Sequence, residues 1–364
     1  METTEPILLI HSSLQEGGSC KIMITHANIL NEYGFKIIVC GKRGNLLENL
    51  NNNIKYYQLS PNFNDGFYIK KVFYYFVVLI KLYNIVKINN IKLIVNNDRY
   101  TLIISSIISK IFKIKHYSVA HGEYQGKKFL CSSLWGRRVL AVSSGTMKNL
   151  LYQYGLSFDK IILVRNSIPP MQRSNAEYLK KYREKIDIGD NDIVCCIANF
   201  DPVKNHKFLI NAWNEIYYTF PKLKLLLVGK NGSLRYEVEE MVKQSRGNIK
   251  IISEDQKISK LIDISLFTIL ASYREGLPNV ILESFSLGKP VIGSNVSGIN
   301  EIVINNYNGI LFRLNDIGSI INAIRKIYLD YDYRKMLSSN ALYTYNNSYN
   351  YHDYKKKIIG FYTI

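Results

Sequence analysis

Acidic residues are scarce in this chain. Asp plus Glu number 29 against 47 Lys plus Arg, which leaves a formal net charge of +18. Such a field suits anionic partners: nucleic acid, anionic lipid or phosphorylated small molecules. No zinc finger, recognition module or arginine-rich tail accompanies it, which counts against nucleic acid. Much of the excess is lysine in a chain rich in Asn, Ile and Tyr throughout, so charge ranks the candidates without deciding among them. Cysteine is sparse as well. The 5 cysteines, at 20, 40, 131, 195 and 196, show no CxxC spacing and are odd in number. A reduced, cytoplasmic protein without structural zinc is expected. Long apolar runs are missing: the longest in the suspicious segment, residues 72 to 80, falls well short of the roughly 20 residues of a spanning helix. The start, METTEPILLIHSS, has no basic region ahead of its short apolar run, so it does not read as a signal peptide. GxGxxG, GxxxxGK[ST] and HExxH are all absent, and no Ser–His–acid set is evident from residue order.

What is there is alternation. Short apolar runs (ILLI at 7 to 10, FKIIVC at 35 to 40, then runs at 54 to 58, 91 to 95, 116 to 120, 138 to 142 and 161 to 164) are separated by helical patterns. Runs of that kind read as parallel strands covered on both faces. Two prolines at 169 and 170 interrupt the pattern, and a charged helix over 175 to 186 carries the chain into a second array with strands near 192, 223, 248, 265, 290 and 309. The expectation is an α/β protein of two doubly wound domains facing each other across a cleft, residues 1–165 and 175–345. A terminal helix over 346–364, packing back toward the first domain, completes the division. The stretch 67 to 88 has Lys70, Lys71, Lys81 and Lys87 on one broad side and aromatic and aliphatic residues on the other. It reads as a helix packed on a sheet, with a membrane-surface helix as the alternative.

Four loops carry candidate chemistry. In SYREGLPNVILE, residues 272 to 283, a strand ends, a glycine loop follows, and Pro278 is expected at the first helical position. Glu275 then lies in the loop, Glu283 lies on the second helical turn, and the amides at the helix start suit a diphosphate. In IANFDPVKNH, residues 197 to 206, Lys204 stands at a strand end as a point charge within reach of phosphate oxygens. Gly17 and Gly18, in QEGGS at the end of the first strand, allow a backbone to approach a phosphate. His121, in AHGEY, is placed to exchange a proton or hydrogen bond with an oxygen at a reacting centre.

These residues resemble the retaining glycosyltransferases of GT-B type, family 4, which use nucleotide-activated sugars. The resemblance spans about residues 7 to 330 and is strongest over 192 to 312, where EGLPNVILE is followed by GKPVIGSNVSGINEIV. It implies two Rossmann-like domains, the first for acceptor and the second for donor. It also implies that Glu275 contacts the transferred sugar, Glu283 the ribose, and the segment Arg274, Gly276, Leu277, Pro278 and Asn279 the donor. Lys204 would neutralise the diphosphate, Gly17 and Gly18 would approach the same phosphates, and His121 would lie near the sugar. Asn166 and Pro169 fit the interdomain segment; Gly298 and Glu301 fit the loop facing the nucleotide. Two departures stand out: Asn199 replaces a frequent arginine, and VGKNG at 228 to 232 replaces a common glycine–acid pattern.

The implied reaction moves a hexose or N-acetylhexosamine from a nucleoside-diphosphate sugar, UDP preferred. The route is front-face, with the acceptor proton passing to a departing phosphate oxygen and no essential metal. The implied acceptor is a lipid-linked sugar or glycan in bacterial surface polysaccharide synthesis (O-antigen, capsule or lipopolysaccharide), met near Gly17, His121 and the loops at 60 to 66. The implied location is the cytoplasm, peripheral on the inner face of an anionic membrane. Two alternatives remain: a non-catalytic binding partner in a polysaccharide complex, or a sugar-nucleotide epimerase of similar architecture.

Overall fold

A computed structural model describes the chain except residues 1–4, 16, 60–67, 125–131, 231, 253–256 and 364; side chains are described outside 68–73 as well. Contacts divide it into two units, residues 1–166 with 352–364, and residues 167–351.

The first unit is built on strands β1 (Ile7–Ser13), β2 (Ile37–Lys42), β3 (Lys55–Gln58), β4 (Leu93–Asn96), β5 (Lys115–Ala120), β6 (Arg138–Ala141) and β7 (Ile161–Leu163). They form one sheet in the order β3-β2-β1-β4-β5-β6-β7, every pair parallel. Leu8, Leu9, Ile10, Ile94 and Val95 are wholly buried, as parallel strands covered on both faces must be. The helices are α1 (Gly18–Glu32), α2 (Tyr68–Ile88), α3 (Leu102–Phe112) and α4 (Ser144–Lys148). Ser143 caps α4, accepting the Thr146 N–H, and the helix then widens into a π-type turn over Asn149–Gln153.

The second unit has strands β8 (Asp192–Ile197), β9 (Leu223–Val228), β10 (Ile249–Ile252), β11 (Ser265–Leu270), β12 (Val291–Ser294) and β13 (Gly309–Phe312). Their order is β10-β9-β8-β11-β12-β13, again all parallel. Helices α5 (Ala176–Lys185), α6 (His206–Thr219), α7 (Arg235–Gln244), α8 (Ile258–Asp263), α9 (Asn279–Ser286), α10 (Ile317–Leu329) and α11 (Tyr331–Ser348) complete it. Its core gathers Trp213, Phe200, Phe267 and Phe312 around Leu225, Leu227 and Ile324. The segment after Asn166 is strapped down within this unit: Tyr345 donates to the Ile168 carbonyl at 2.7 Å and Arg173 to the Leu287 carbonyl at 2.8 Å.

The tail is helical in three pieces. Asp316 and Asp330 cap α10 and α11 by accepting the N–H groups of Ser319 and Tyr333. The last helix, α12 (Tyr351–Thr363), belongs from His352 onward to the first unit. There Tyr354 and Tyr362 bracket the buried His26 of α1, at 2.7 Å from Nε2 and 3.3 Å from Nδ1. Burial in that aromatic setting drives the His26 pKa down to about 3, so the ring is neutral.

In both sheets the connections reverse direction beside the first strand of the unit, between β1 and β4 and between β8 and β11. Open α/β sheets form their binding crevices at the carboxyl ends of strands at such switch points.

Candidate functional site

The second unit's switch point holds the paired loops. After β8 the chain runs through a 3-10 turn, Pro202–Lys204, and Asn205 takes up left-handed backbone (φ 57°) before α6. After β11 it runs through residues 271 to 278 into α9. The Tyr273 N–H donates to the Val203 carbonyl at 2.8 Å, so the loops are laced together by backbone. Lys204 Nζ then lies 2.7 Å from Glu275 Oε1, with side chains 25% and 10% exposed. The same carboxylate oxygen accepts the Ser272 hydroxyl at 2.6 Å, and Ser294 donates to the Ser272 carbonyl at 2.6 Å. Ser272 thus positions Glu275, a role that sequence reading missed because a serine in a polar loop carries no distinguishing signal.

Helix α9 begins at Asn279, one residue later than the sequence suggests. Pro278 is extended (φ −71°, ψ 114°) and stands ahead of the helix rather than in its first turn, and no side chain caps the helix start. Proline brings no N–H, so Pro278 offers shape and not a donor. Leu277 is buried, Arg274 is exposed, and Gly276 and Asn279 lie between these extremes. Glu283, on the second turn, is 9% exposed; this is no solvated surface residue. The loop carrying Gly298 folds over Glu275: Gly298 has φ +82°, and a Cβ there would stand 2.6 Å from the carbonyl oxygens of Glu275 and Gly276. Only glycine fits that approach.

Beside Lys204, His206 opens α6 and is buried with both ring nitrogens unpartnered. Burial, reinforced by the Lys204 charge, lowers its pKa to about 4. In the variant glycine loop Gly232 has φ +134° and packs on the Phe200 backbone, while Arg235 lies over the Phe200 ring and donates to the Gly229 carbonyl at 2.7 Å. Asn231 lies outside the described residues.

The remaining sequence candidates lie in the first unit. Gly17 precedes α1 and Gly18 opens it; a Cβ on either would meet nothing within 4 Å. Neither glycine is demanded by crowding or by backbone, since φ of Gly17 is 165°. Glu16 and the loop at 60 to 66 lie outside the described residues. His121 stands just beyond β5. Its N–H donates to the Tyr124 hydroxyl at 3.0 Å, and Asn149 clasps the Tyr124 backbone at 2.9 and 3.2 Å. Its Nε2 is buried without a partner, and desolvation holds its pKa well below the ordinary value. His121 lines a cavity of about 510 Å³ with Ser19, Asn97, Asp98 and Tyr100. Of these, only His121 was given a role from sequence; Ser19 ends the QEGGS motif at the start of α1, and Asn97, Asp98 and Tyr100 share the loop beyond β4.

Among the described residues no group of three or more His, Cys, Asp or Glu is placed to hold a metal ion. No described helix is long and apolar enough to cross a membrane. The four described cysteines are free and buried; Cys131 lies outside the described residues.

Comparison with known proteins follows the same division. The family described as Glycosyl transferases group 1 matches residues 180–343. The chain is 28% identical over 189 residues to an Escherichia coli UDP-Gal:alpha-D-GlcNAc-diphosphoundecaprenol alpha-1,3-galactosyltransferase, covering 46% of this chain and 49% of that one. It is 26% identical over 273 residues to the Escherichia coli O-antigen biosynthesis glycosyltransferase WbnH, covering 72% and 75%. Several curated relatives are matched over only 43 to 60% of their length. Among solved structures, Anabaena HepE in complex with UDP and glucose superposes with a TM-score of 0.84 at 18% identity, covering 99% of both chains. Residues 180–343 thus match the glycosyltransferase group 1 family, in a chain whose two Rossmann-like sheets have the GT-B fold.

Proposed function

We propose that the chain is a retaining glycosyltransferase that moves a hexose or N-acetylhexosamine from a UDP-sugar to a lipid-linked sugar or glycan. The observation that carries this reading is the Lys204–Glu275 pair, held by two laced loops at a sheet switch point beside the uncapped start of α9. Across 2.7 Å each charge neutralises the other. A bound diphosphate draws the Lys204 ammonium to its oxygens, where the first-turn amides of α9 add to the positive field. Glu275 is then released to face the sugar, whose anomeric carbon gains positive charge as the bond to phosphate loosens. Glu283 holds ribose hydroxyls. Gly17 and Gly18 admit phosphate oxygens close to backbone, and His121 offers a neutral imidazole to a sugar hydroxyl. With lysine and amides opposing the negative charge, the reading calls for no metal.

The acceptor class and place of work draw support from the relatives, one of which acts on a diphosphoundecaprenol-linked sugar while another serves O-antigen biosynthesis. On the exposed side of α2, Phe76, Ile80, Tyr83 and Ile88 alternate with Lys81 and Lys87, a surface suited to the inner face of an anionic membrane. The side chains of Lys70 and Lys71 lie outside the described residues.

Calorimetry with UDP, GDP, ADP and CMP tests the donor: UDP is expected to bind most tightly, and failure of every diphosphate nucleotide to bind sinks the reading. Proton NMR of the product settles stereochemistry, retention at the anomeric carbon being expected. Co-sedimentation with anionic vesicles is expected to rise with anionic lipid, fall with salt, and weaken in Lys81→Glu. Wild-type protein left in the supernatant at low salt would remove the membrane from the proposal.

A further inference from the structure

The first unit's cavity of about 510 Å³ joins polar groups to an apolar edge. Asn97 and His121 line it, and each carries a buried polar atom without a partner, Asn97 Oδ1 and His121 Nε2. Asn97 is wholly buried, its Nδ2 group donating to the Val95 carbonyl at 3.2 Å. Buried polar atoms are seldom left unpaired, so these two mark places where a ligand's hydroxyl groups can bond. Tyr75, Tyr100, Tyr124 and Ile103 share the lining, a mixture of apolar surface and few polar groups that suits a small organic ligand. Arg99 lies in the same lining and is exposed.

Ile103 also heads a row on α3, with Ile107 and Ile111 one and two turns further along. Next to Tyr75, Phe76 heads a second row on α2, followed by Ile80 and Tyr83. Spacings of three and four residues keep each row on one face of its helix. All six side chains are 39 to 60% exposed. The helices are neighbours: Val78, Leu82 and Ile85 of α2 share a buried cluster with Ile104 and Ile108 of α3. Tyr75 and Ile103 meet at the cavity, and the rings of Tyr83 and Phe112 lie 4.8 Å apart at the other end. Both rows therefore lead away from the cavity side by side, and Ile103 to Ile111 spans about 12 Å. A continuous apolar surface of this kind marks a contact with another apolar group.

We infer that this edge seats the hydrocarbon chain of a lipid-linked ligand whose sugar lies in the cavity. The inference deepens the glycosyltransferase reading, on which the identity of the head group rests. The chemistry along the surface matches such a molecule from head to tail. Asn97 Oδ1 and the His121 imidazole meet sugar hydroxyls, the Arg99 guanidinium meets phosphate oxygens, and the two rows meet the chain. Desolvation holds the His121 pKa well below the ordinary value, which suits a neutral hydroxyl partner. A bilayer lying against α2 needs no cavity at the end of its contact, whereas a tethered sugar does. Every group named belongs to the first unit.

Calorimetry on the full chain with dimethylallyl, geranyl and farnesyl diphosphates, below their micelle concentrations, tests the edge. Affinity should rise about tenfold or more from dimethylallyl to farnesyl diphosphate, because each further isoprene unit covers more of the two rows. Ile80→Gln and Ile107→Gln change exposed side chains and should fold. Each should weaken farnesyl diphosphate about fivefold or more, with dimethylallyl diphosphate held within about twofold. At least one of farnesyl-diphosphate-linked glucose, galactose and their N-acetylamino counterparts should bind more tightly than farnesyl diphosphate itself. Equal affinity for all of these overturns the link between cavity and edge. A wild-type response to chain length in both variants overturns the inference, as does failure of farnesyl diphosphate to bind. Variants that lose only co-sedimentation with anionic vesicles overturn it too, and make the edge a membrane contact. UDP binding, measured alongside, separates the two readings. Protein that binds UDP but no isoprenyl diphosphate loses the edge alone. Protein that binds farnesyl diphosphate through Ile80 and Ile107 but no nucleotide upholds the edge and overturns the glycosyltransferase reading.

Discussion

The second unit's six strands repeat the order of the first six of the first unit, and polar loops stand at equivalent points in both, yet the units assemble those loops differently. In the second unit Ser272, Glu275, Gly276 and Glu283 come from a single loop and helix, and Lys204 is brought to them from the loop after β8. In the first, His11, Ser19, Asp98 and His121 come from the ends of β1, β4 and β5 and the start of α1. A site written in one stretch shows as a motif. A site gathered by strand order shows nothing until the strands are paired.

The largest effect expected is on the contiguous site. Glu275→Gln and Lys204→Ala should each lower kcat by two or more orders of magnitude, equivalent to about 3 kcal/mol of charge stabilisation at a preorganised site. Steady-state UDP release measures it, and an unaltered rate in Lys204→Ala removes the lysine from the chemistry. Glu283→Ala should instead show chiefly in the affinity for UDP.

Backbone geometry separates the units next. Gly298→Ala forces a Cβ onto two carbonyl oxygens at positive φ, so it should cost about 1–3 kcal/mol of stability. Gly17→Ala meets nothing in the folded chain and should stay within about 0.5 kcal/mol, while weakening UDP binding if phosphate approaches the backbone there. Thermal melts and calorimetry on both variants divide crowding from ligand approach. Equal melting losses would show that the contrast is misplaced.

Acid distinguishes the units further. The first buries His11, His26 and His116 and half-buries His121, and desolvation depresses all four pKa values, to about 3 for His26 and about 4 for His116. The second buries His206 alone in this way, at about 4. The unfolded chain takes up these protons near pH 6.5 and the folded units do so only lower. Stability is therefore complete above 6.5 and declines as the pH falls toward 4. The first unit should yield first. Trp135 lies in the first unit and Trp213 in the second, and the chain has 2 tryptophans. Single-tryptophan variants Trp213→Phe and Trp135→Phe thus report each unit separately by fluorescence. Coincident acid transitions would mean that the units unfold as one. The smallest effect belongs to the exposed Lys207–Glu237 pair, where Lys207→Ala should change stability by less than about 1 kcal/mol.

Much of the fold was legible because each buried parallel strand needs a short apolar run and each crossover needs an amphipathic helix. Those local demands appear in the order of residues. The loop of Glu275 was legible for a related reason: a strand end, a glycine, a proline and a helix must follow one another to present that carboxylate. Smaller features were not. Pro278 fits either the first helical turn or the residue ahead of it, and only the turn of the loop over Val203 decides between them. The tail showed a basic, tyrosine-rich stretch without showing that Tyr354 and Tyr362 close on His26, more than three hundred residues away.

The sequence by itself determined the two α/β arrays, the break near Pro169 and Pro170, and the charged loops after the strands near 192 and 265, all consequences of local periodicity and backbone chemistry. The tertiary structure alone decided which loops became neighbours. Strand order sets β1 beside β4 and β8 beside β11, and this long-range pairing brings Asp98 to His11 and Lys204 to Glu275. No local pattern encodes that adjacency, because hydrogen bonding between parallel strands is indifferent to the residues that follow their ends.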